Sequence, residues 1–417
     1  MEENKLLTML SQVYVTVTSG MEKLSKLEFQ EKFQTQFVNF EVFPGKIICS
    51  LQTQISVLDV VKKLCSDLKS VEHVFLILYS FSLNEKELEI LKESTHADKA
   101  NISNLILFQE FKENLHKNQQ IFLDFLEIYK VLKGINPEKL KFRIDIKENV
   151  IPRSEKNELA KLMAEFLEKN FSFLEADLTE YGIKLALEKI DKKYYFSIKL
   201  TMNLPLGISQ VSALREKTPA TMRPSIAYNL CRLLNIEEGD LIIDPMCGSS
   251  TIIEIALKEF KQQAFYICSD IDELSIQKSQ KNLANYGYVD LVLCNSMRTP
   301  FRKNCFNKII TDMPFGKRCG SHHNNLKIYP NLIKEFNRIV SDEGKAVVVT
   351  TEKNLIFTNF KKKNGWKRED FFMINKGGLD TFVVVSRKNE FKRKGKKKEC
   401  EEVKKEENIS DLNKSQI

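Results

Sequence analysis

Short apolar stretches rich in β-branched and aromatic residues recur along the first 80 residues, and segments with helical spacing separate them. The pattern predicts strand, helix, strand, strand, helix and strand over residues 14–18, 21–29, 37–43, 46–51, 57–68 and 73–79. A Pro-Gly pair at positions 44–45 predicts the turn of a hairpin between the third and fourth segments. This order is that of a ferredoxin-like unit, which we place at residues 1–80.

Charged helical patterns with apolar stripes follow over residues 82–135, and a second set of strand patterns comes after them. These strands are predicted at residues 141–146, 183–188 and 194–200, with a helix ending at Asn170 before the last two. We predict an α+β domain over residues 81–205 that includes the helical segment as an insert. A stretch rich in Pro, Ser and Thr then predicts a linker over residues 206–223.

From Pro224 onward the chain predicts an α/β domain that ends at residue 388. Six short apolar strands are spaced along it, at residues 241–245, 265–270, 291–295, 308–312, 346–351 and 381–386. Helical patterns fill four of the five intervals between them, which is typical of a parallel, doubly wound sheet. Residues 389–417 are rich in Lys and Glu and predict a disordered tail.

The composition of the 417-residue chain limits the classes of function. It has 64 basic and 56 acidic residues, and the net charge of +8 suits a polyanionic partner such as nucleic acid. Nine cysteines lack pairing or zinc-ligand spacing, so we expect free thiols in a reducing compartment and no structural metal. No apolar run has the length of a membrane span. We expect a cytoplasmic protein, whose basic segment 392–398 is a nuclear signal or a solvated tail.

The first candidate site is IIDPMCGSST, residues 242–251, where a buried strand ends and a helix begins. Ligands of open α/β sheets bind at such carboxyl ends. Asp244 is a candidate partner for a ligand amine, and Gly248 lets a ligand approach the backbone. The alternative is an ordinary strand-to-helix turn with Asp244 as a cap. The G-x-G-x-x-G fingerprint of dinucleotide sites is absent from the sequence.

Two further strand ends carry acidic or amide side chains. Asp270 ends the second strand and is placed to accept hydrogen bonds from both hydroxyls of a ribose. Asp272 either faces the same pocket or caps the following helix. Asn295 ends the third strand, where its side-chain oxygen would accept from an adenine amino group or form a turn.

The fourth strand ends in TDMPFGKR, residues 311–318. Asp312 would accept hydrogen bonds from an exocyclic amino group, and Pro314 stiffens a turn that directs neighbouring carbonyls at the same amine. Phe315 offers a face for base stacking. Substrate approach and phosphate binding would fall to the residues that follow, Gly316, Lys317 and Arg318. A tight turn with solvated cations is the alternative interpretation.

These four segments together resemble class I S-adenosylmethionine methyltransferases that act on amino groups, whose fourth motif is [DN]-P-P-[FYW] and stands here as D-M-P-F. More specifically, the sequence resembles eukaryotic THUMP-domain tRNA (guanine-N2) methyltransferases, in MRPSIAYNL, DPMCG, TDMPFGKR, YP and KGGLDTFVVV. The resemblance extends over residues 221–388 and, more weakly, over 140–205 and 13–80. It implies an α/β fold with a C-terminal class I (Rossmann-like) methyltransferase domain, preceded by ferredoxin-like and THUMP α+β domains.

The resemblance also implies roles for the matching residues. The pocket for the methionine part of S-adenosylmethionine would be shaped by Asp244, Pro245, Cys247 and Gly248. Asp270, with Asp272 beside it, would bind the ribose, and Asn295 would bind the adenine. Guanine would be held by Asp312, Pro314 and Phe315. The RNA backbone would be contacted by Arg223, Gly316, Lys317 and Arg318.

The implied activity is that of an enzyme that forms N2-methylguanosine in tRNA with S-adenosylmethionine as its cofactor. In this family the N-terminal domains capture the acceptor-stem end of tRNA, and a small zinc-binding activator subunit docks on the methyltransferase domain of eukaryotic members. A branch of the family leaves a second hypothesis open, the same chemistry on a small nuclear RNA. The third hypothesis is an RNA-binding protein without catalytic activity.

Two departures from the family pattern bear on these hypotheses. Ser250 stands where the usual C-G-T-G or C-G-S-G loop has glycine, so its side chain is expected to strain the loop or crowd the cofactor. Asn295 replaces the more usual aspartate, although it keeps an acceptor for the adenine amino group. The loop serine is the main argument for the non-catalytic hypothesis, which a cofactor-binding titration would test.

Overall fold

The computed structural model describes residues 12–52, 57–93, 99–133, 138–147, 149–200, 216, 221–260, 264–314, 322–361, 365–376 and 378–389. The predicted linker lies outside these ranges except for 216 and 221–223, and so does the predicted tail except for residue 389. The described strands form two sheets, one of eight strands and one of seven. No described helix is long and apolar enough to cross a membrane.

The ferredoxin-like order predicted for the N-terminus is confirmed. Its elements are β1 (Gln12–Val17), α1 (Glu22–Phe33), β2 (Phe37–Phe43), β3 (Lys46–Leu51), α2 (Val57–Asp67) and β4 (Val71–Phe81). The strands pair antiparallel in the order β2-β3-β1-β4. Along β1 the valines at alternate positions enter the main core, whereas Tyr14 faces the opposite side and stacks on Phe75 with ring centroids 4.4 Å apart.

A second set of elements extends the same sheet. They are α3 (Glu85–Glu93), α4 (Lys99–Lys117), α5 (Gln119–Lys133), β5 (Leu140–Ile146), α6 (Lys156–Asn170), β6 (Leu174–Ala176), β7 (Ile183–Ile190) and β8 (Lys193–Lys199). Because β8 pairs antiparallel with β4, all eight strands join in the order β2-β3-β1-β4-β8-β7-β5-β6. The boundary at residue 80 stays a prediction, and any such division would cross a continuous sheet.

Aromatic packing fixes the inserted helices to this sheet. Phe111 of α4 meets Phe196 of β8 edge-on, with 5.1 Å between ring centroids, and Phe166 of α6 at 6.0 Å. On α5, Phe122 and Phe125 are fully buried in the same core. The apolar stripes predicted for residues 82–135 therefore face the sheet, and the insert closes the core of the N-terminal half.

The second sheet belongs to the chain from Pro224 onward. Its elements are α7 (Pro224–Leu234), β9 (Leu241–Asp244), α8 (Thr251–Glu259), β10 (Phe265–Asp270), α9 (Glu273–Leu283), β11 (Val289–Leu293), β12 (Phe306–Asp312), α10 (His322–Ile339), β13 (Val340–Thr350), α11 (Lys353–Asn359), β14 (Trp366–Lys376) and β15 (Leu379–Lys388). The strand order is β11-β10-β9-β12-β13-β15-β14. Helices α7, α8 and α9 cover one face, and α10 and α11 cover the other.

The predicted parallel, doubly wound sheet is confirmed for its first five strands and needs two corrections beyond them. β15 runs antiparallel to β13, because it returns through a tight hairpin rather than through a crossover helix. β14, which the apolar pattern missed, is an edge strand of mostly exposed residues. Its first residue, Trp366, is buried against Phe360 with 5.1 Å between ring centroids.

The two halves of the chain are held together by direct contacts. Met21, just before α1, is fully buried within the core of the second sheet. Arg232 of α7 donates to the carbonyl of Leu24 at 3.0 Å and pairs with Glu31 at 2.5 Å. Gly20 lies against β14 with φ of +93°, so closely that a Cβ there would overlap the Met373 carbonyl oxygen.

We predict that Gly20→Ala destabilises the protein far more than a glycine substitution with room. Gly239 has a similar φ of +82° but no atom within 4 Å of where its Cβ would be, so Gly239→Ala should cost only ~1–2 kcal/mol of backbone strain. Gly20→Ala adds a backbone clash and should cost about 3 kcal/mol or more. Urea unfolding followed by the fluorescence of Trp366 measures both, and equal losses would contradict the importance of this contact.

Candidate active site at the carboxyl edge of the second sheet

The second sheet has a switch point between β9 and β12. From β9 the chain proceeds through β10 and β11 on one side, whereas β12 and β13 lie on the other. Loops after β9 and β12 therefore leave in opposite directions and open a crevice at the carboxyl edge, where ligands of open α/β sheets bind. Asp244 ends one of these strands and Asp312 the other.

Asp244 is a buried support of the crevice. Its side chain is 1% exposed, and Oδ1 accepts from the Thr311 hydroxyl at 2.8 Å and from the Met246 backbone N–H at 3.2 Å. Burial raises the pKa of this carboxyl to about 7, and the nearby carboxylates of Asp270 and Asp312 add to the effect. The side chain thus joins β9 to β12 and shapes the loop that follows. Its expected pairing with a ligand amine remains a prediction.

The loop after β9 presents open backbone to the crevice. Pro245 and Cys247 are buried, and the Cys247 N–H donates to the Ser269 carbonyl at 3.0 Å. Gly248 has φ of +55°, and no atom of the described residues lies within 4 Å of where its Cβ would be. A ligand can therefore approach the backbone at Gly248, as the sequence predicts.

Ser250 adopts the strained conformation that its position suggests, but its side chain does not enter the crevice. Its φ of 60° and ψ of 31° are left-handed, which costs ~1–2 kcal/mol for a residue with a Cβ. The side chain is fully buried, and its hydroxyl donates to Ser279 Oγ at 2.7 Å. Ser279 Oγ in turn donates to the Gly248 carbonyl at 2.7 Å. The serine therefore braces the loop from behind, and the expected crowding does not arise from it.

The acid at the end of β10 also holds this loop. Asp270 accepts from the Gly248 N–H at 2.9 Å through Oδ2 and from the Asp272 N–H at 3.0 Å through Oδ1. Each oxygen keeps a further lone pair for a ligand hydroxyl. Asp272 is the N-cap of α9, accepting from the Ser275 N–H and hydroxyl at 2.9 and 2.7 Å. Of its two interpretations, the structure shows the helix cap, and ribose binding by Asp272 stays a prediction.

Asn295 follows β11 and forms a turn. Its side-chain oxygen accepts from the Met297 N–H at 2.9 Å, which is the local turn that asparagine favours. One lone pair of that oxygen remains for another donor. The expected adenine contact is therefore compatible with the turn and stays a prediction.

Asp312 is the most distinctive group in the crevice. Its side chain is 21% exposed, and Oδ2 forms an ion pair with the ammonium of Lys376 at the end of β14. Oδ1 is buried and has no hydrogen-bond partner among the residues that the structure describes. Burial raises the pKa of this carboxyl, and the neighbouring Lys376 only partly opposes the effect. An unpaired buried acceptor costs ~1–3 kcal/mol, so this oxygen is a candidate for a ligand donor.

Helix α10 supplies two residues that support the turn after β12 and that the pattern of polar strand ends does not indicate. Tyr329 donates to the Pro314 carbonyl at 2.9 Å, and Asn325 donates to the same oxygen at 3.2 Å. Both side chains are fully buried and lie one helical turn apart. Tyr329 belongs to the YP pair of the resemblance, whereas nothing in the pattern around Asn325 indicated its contact.

The remaining predicted RNA contacts have different outcomes. Phe315, Gly316, Lys317 and Arg318 lie outside the described residues. Arg223 is described, and its guanidinium pairs with Glu72 at 2.6 Å and donates to the Asn375 carbonyl at 2.9 Å. The structure thus gives Arg223 a role in joining the two halves of the chain, and its RNA contact stays a prediction.

The strand order, the open glycine loop and the acids ending β10 and β12 define a class I methyltransferase domain. Residues 213–381 match the family UPF0020, RMKL-like methyltransferase domain. The resemblance to THUMP-domain guanine-N2 methyltransferases is confirmed by curated relatives. The human tRNA (guanine(6)-N(2))-methyltransferase THUMP3 is 27% identical over 60% of this chain and 51% of its own length.

Other relatives divide between two RNA substrates. The tRNA (guanine(6)-N2)-methyltransferase of Methanocaldococcus jannaschii is 24% identical over 50% of this chain and 65% of its own length. The human U6 snRNA (guanine-N(2))-methyltransferase THUMPD2 is 26% identical over 47% of this chain and 37% of its own length. The chain spans about half the length of the first curated relatives it matches.

Solved structures confirm the fold over most of the chain. TrmN from Thermus thermophilus superposes with a TM-score of 0.65 at 15% identity, covering 91% of this chain and 99% of that one. A possible methylase from Clostridium difficile 630 gives a TM-score of 0.63 at 16% identity, covering 92% and 99%. At these identities the likeness establishes the architecture, including an N-terminal half followed by a Rossmann-like domain.

We predict that Ser250→Ala destabilises the protein more than Ser250→Gly. Alanine keeps the left-handed strain and loses the hydroxyl that bonds Ser279, at a cost of ~1–2 kcal/mol. Glycine loses the same bond but relieves the strain, so its net effect should be within ~1 kcal/mol of zero. Urea unfolding of both variants measures this order. A glycine variant less stable than the alanine variant would show that the left-handed strain is not the decisive term.

Proposed function

We propose that this protein is an S-adenosylmethionine-dependent methyltransferase that forms N2-methylguanosine in tRNA. The observation that carries the proposal is the unpaired, buried Oδ1 of Asp312, placed at the switch point beside an open glycine loop. An acceptor left without a partner in such a crevice suits a substrate that brings an N–H donor. A guanine amino group is such a donor, and the named relatives act on guanine N2.

The residues at the crevice fit S-adenosylmethionine. Gly248 offers close backbone approach, since no atom occupies the position of its missing Cβ. Asp270 has free lone pairs for the ribose hydroxyls, and Asn295 has one for the adenine amino group. Asp244 and Cys247 hold the loop in place, and the methionine part of the ligand would lie against this loop. Bound S-adenosylmethionine supplies a methyl group on a sulfonium, whose transfer leaves a neutral thioether and places the positive charge on the accepting amine.

Asp312 and a neighbouring carbonyl would orient the guanine amine. The nitrogen lone pair is delocalised into the ring, so the amine reacts only if both N–H bonds are held and the lone pair is directed at the methyl. Oδ1 of Asp312 accepts one N–H. The Pro314 carbonyl already accepts from Tyr329 and Asn325, so we assign the second N–H to the carbonyl of Met313. Such positioning can supply several kcal/mol of a reaction barrier.

Asp312 would also stabilise the charge that develops on the amine. As methyl transfer makes the nitrogen cationic, a carboxylate in hydrogen-bond contact gains attraction in a crevice of low dielectric constant. The amine then releases a proton to Asp312 or to water. Because burial raises the pKa of this carboxyl above the usual aspartate range, it is a better proton acceptor than an exposed aspartate.

A basic cluster on the N-terminal sheet supports an RNA substrate. Lys147 and Lys184 lie 2.8 and 3.0 Å from Asp145, and Lys199 lies close enough to both lysines to be affected by their charge. Burial and these two cations lower the pKa of Lys199 to about 8. Three lysines against one carboxylate attract a polyanion, and a phosphate there would relieve their mutual repulsion.

The substrate assignment favours tRNA over small nuclear RNA on the extent of the relatives' match. The human tRNA enzyme aligns over 274 residues and the human U6 snRNA enzyme over 199. The non-catalytic hypothesis rested on Ser250, whose side chain is turned away from the crevice. The non-catalytic hypothesis thus loses its main argument, and the same chemistry on a small nuclear RNA remains the second candidate.

We further propose that a small zinc-binding activator subunit covers the β11 edge of the second sheet, which no described strand pairs with. β11 ends the sheet, and large apolar side chains cluster around it and β10. Tyr288 is 58% exposed and packs edge-on against Phe265 at 5.2 Å, and Leu293 is 54% exposed. An unpaired edge with exposed apolar residues is suited to a protein partner and is a hazard without one.

We predict that Asp312→Ala abolishes methyl transfer while RNA binding survives. The protein, with and without the activator subunit, is incubated with total small RNA and methyl-labelled S-adenosylmethionine, and the labelled nucleoside and its carrier are identified. Labelled N2-methylguanosine in tRNA supports the proposal, whereas label in a small nuclear RNA replaces the substrate. Activity should fall on acidification through a pKa above the usual aspartate range, because only the carboxylate accepts the amine proton. Full turnover by Asp312→Ala would refute its catalytic role.

We predict that Tyr288→Glu and Leu293→Glu prevent binding of the activator subunit. Each places a charge on the proposed apolar surface, and two such losses are expected to weaken association at least ~100-fold. Leu105→Glu is the matched control, since Leu105 is 63% exposed on α4 of the other half. Gel filtration after co-expression with the activator measures the complex. If both edge variants bind the activator as strongly as the wild-type protein does, the activator binds at another surface.

A further inference from the structure

We propose that Lys376 is a positioning residue for the reaction, whose ammonium holds Oδ2 of Asp312 so that Oδ1 faces the guanine amine. The inference deepens the proposed function and rests on it. Lys376 is the last residue of β14 and reaches Asp312 across the ends of the two intervening strands, β13 and β15. Asp312 and Lys376 are the last residues of their strands. Their ion pair therefore lies at the carboxyl edge of the sheet, where the crevice is.

The two carboxylate oxygens of Asp312 have different surroundings. Oδ2 is held by Lys376, and Oδ1 is buried with no partner in the described part of the chain. A carboxylate anchored at one oxygen cannot rotate freely, so the other oxygen keeps a fixed direction. The guanine amine needs one well-directed acceptor on this residue, and the ion pair leaves one oxygen available. The lysine therefore does not compete with the substrate for Oδ1.

The charges around Asp312 make this cation important. The pair is largely sheltered, since the side chains of Lys376 and Asp312 are 14% and 21% exposed. Asp244 on β9 faces Asp312 as a second acid, and Tyr329 on α10 lies near it as a neutral hydroxyl. Among these groups Lys376 is the cation, and it favours the ionised carboxylate that burial disfavours.

The end of β14 is itself held in place by the N-terminal half. The backbone carbonyl of Asn375 accepts a hydrogen bond from Arg223 at 2.9 Å, and Oδ1 of Asn375 accepts one from the Gly378 N–H at 2.9 Å. Arg223 in turn pairs with Glu72 of β4 at 2.6 Å. Lys376 therefore follows directly after a residue fixed on both sides, so its backbone is held where the two halves of the chain meet.

The test compares Lys376→Gln, Lys376→Arg and the control Lys367→Gln, which alters an exposed lysine on the same strand. Methyl transfer to total small RNA is measured against pH. We expect Lys376→Gln to lower kcat about 100-fold with little change in KM. The acid limb of its pH–activity profile should move to higher pH by about one to three pH units. Without the neighbouring cation, the pKa of Asp312 rises. Lys376→Arg should restore most of kcat and the original acid limb, and Lys367→Gln should behave as wild type.

Several outcomes would overturn the inference. One is a wild-type kcat and pH profile for Lys376→Gln, and another is a defect confined to the KM for RNA, which would make Lys376 an RNA contact. A thermal unfolding scan and a titration with S-adenosylmethionine accompany each variant, and a variant that fails both is replaced in the comparison by Lys376→Met. Failure of the proposed function is distinguishable, because the wild-type protein would then transfer no methyl group to RNA.

Discussion

The parallel pairing of β9 with β12 is the constraint on which the candidate site depends. The register places Ile242 beside Lys308 and Ile243 beside Ile309, so the acids that follow emerge at the same edge of the sheet. The bond from Thr311 to Asp244 closes this junction with a buried side-chain contact. A slip of one residue would turn every side chain of β12 to the opposite face and remove Asp312 from the crevice.

The second determinant is the contact between the two sheets. Met21 is buried in the core of the second sheet, and Arg223 links β4 to the end of β14. These contacts are short and specific, so the N-terminal half is a fixed neighbour of the crevice rather than a domain on a free tether. Under the proposed function, an RNA held by that half would therefore reach the crevice at a set distance.

Three departures from local rules of sequence and structure lie around the crevice. Ser250 is left-handed, Asp244 is a carboxyl with a pKa of about 7, and Asp312 keeps an unpaired buried oxygen. Each costs free energy that the well-packed strands beneath must offset. Strain and unpaired polar groups at the edge of a crevice are compatible with a site kept for function rather than for stability. The Ser250–Ser279–Gly248 hydrogen bonds show how one such cost is compensated locally.

The sequence by itself determined the element types, the ferredoxin-like order, the class I domain and the acids at its strand ends, because apolar periodicity and strand-end motifs are local. Tertiary structure alone decided that β8 joins β4 in one sheet, that β14 forms the edge beyond β15, and that Arg223 binds Glu72. It also brought Lys376, Asn325 and Tyr329 to the Asp312–Pro314 turn. These partners lie 11 to 64 residues apart along the chain, or 151 for Arg223 and Glu72. No local pattern records such distances, since they are set by how strands pair and helices pack.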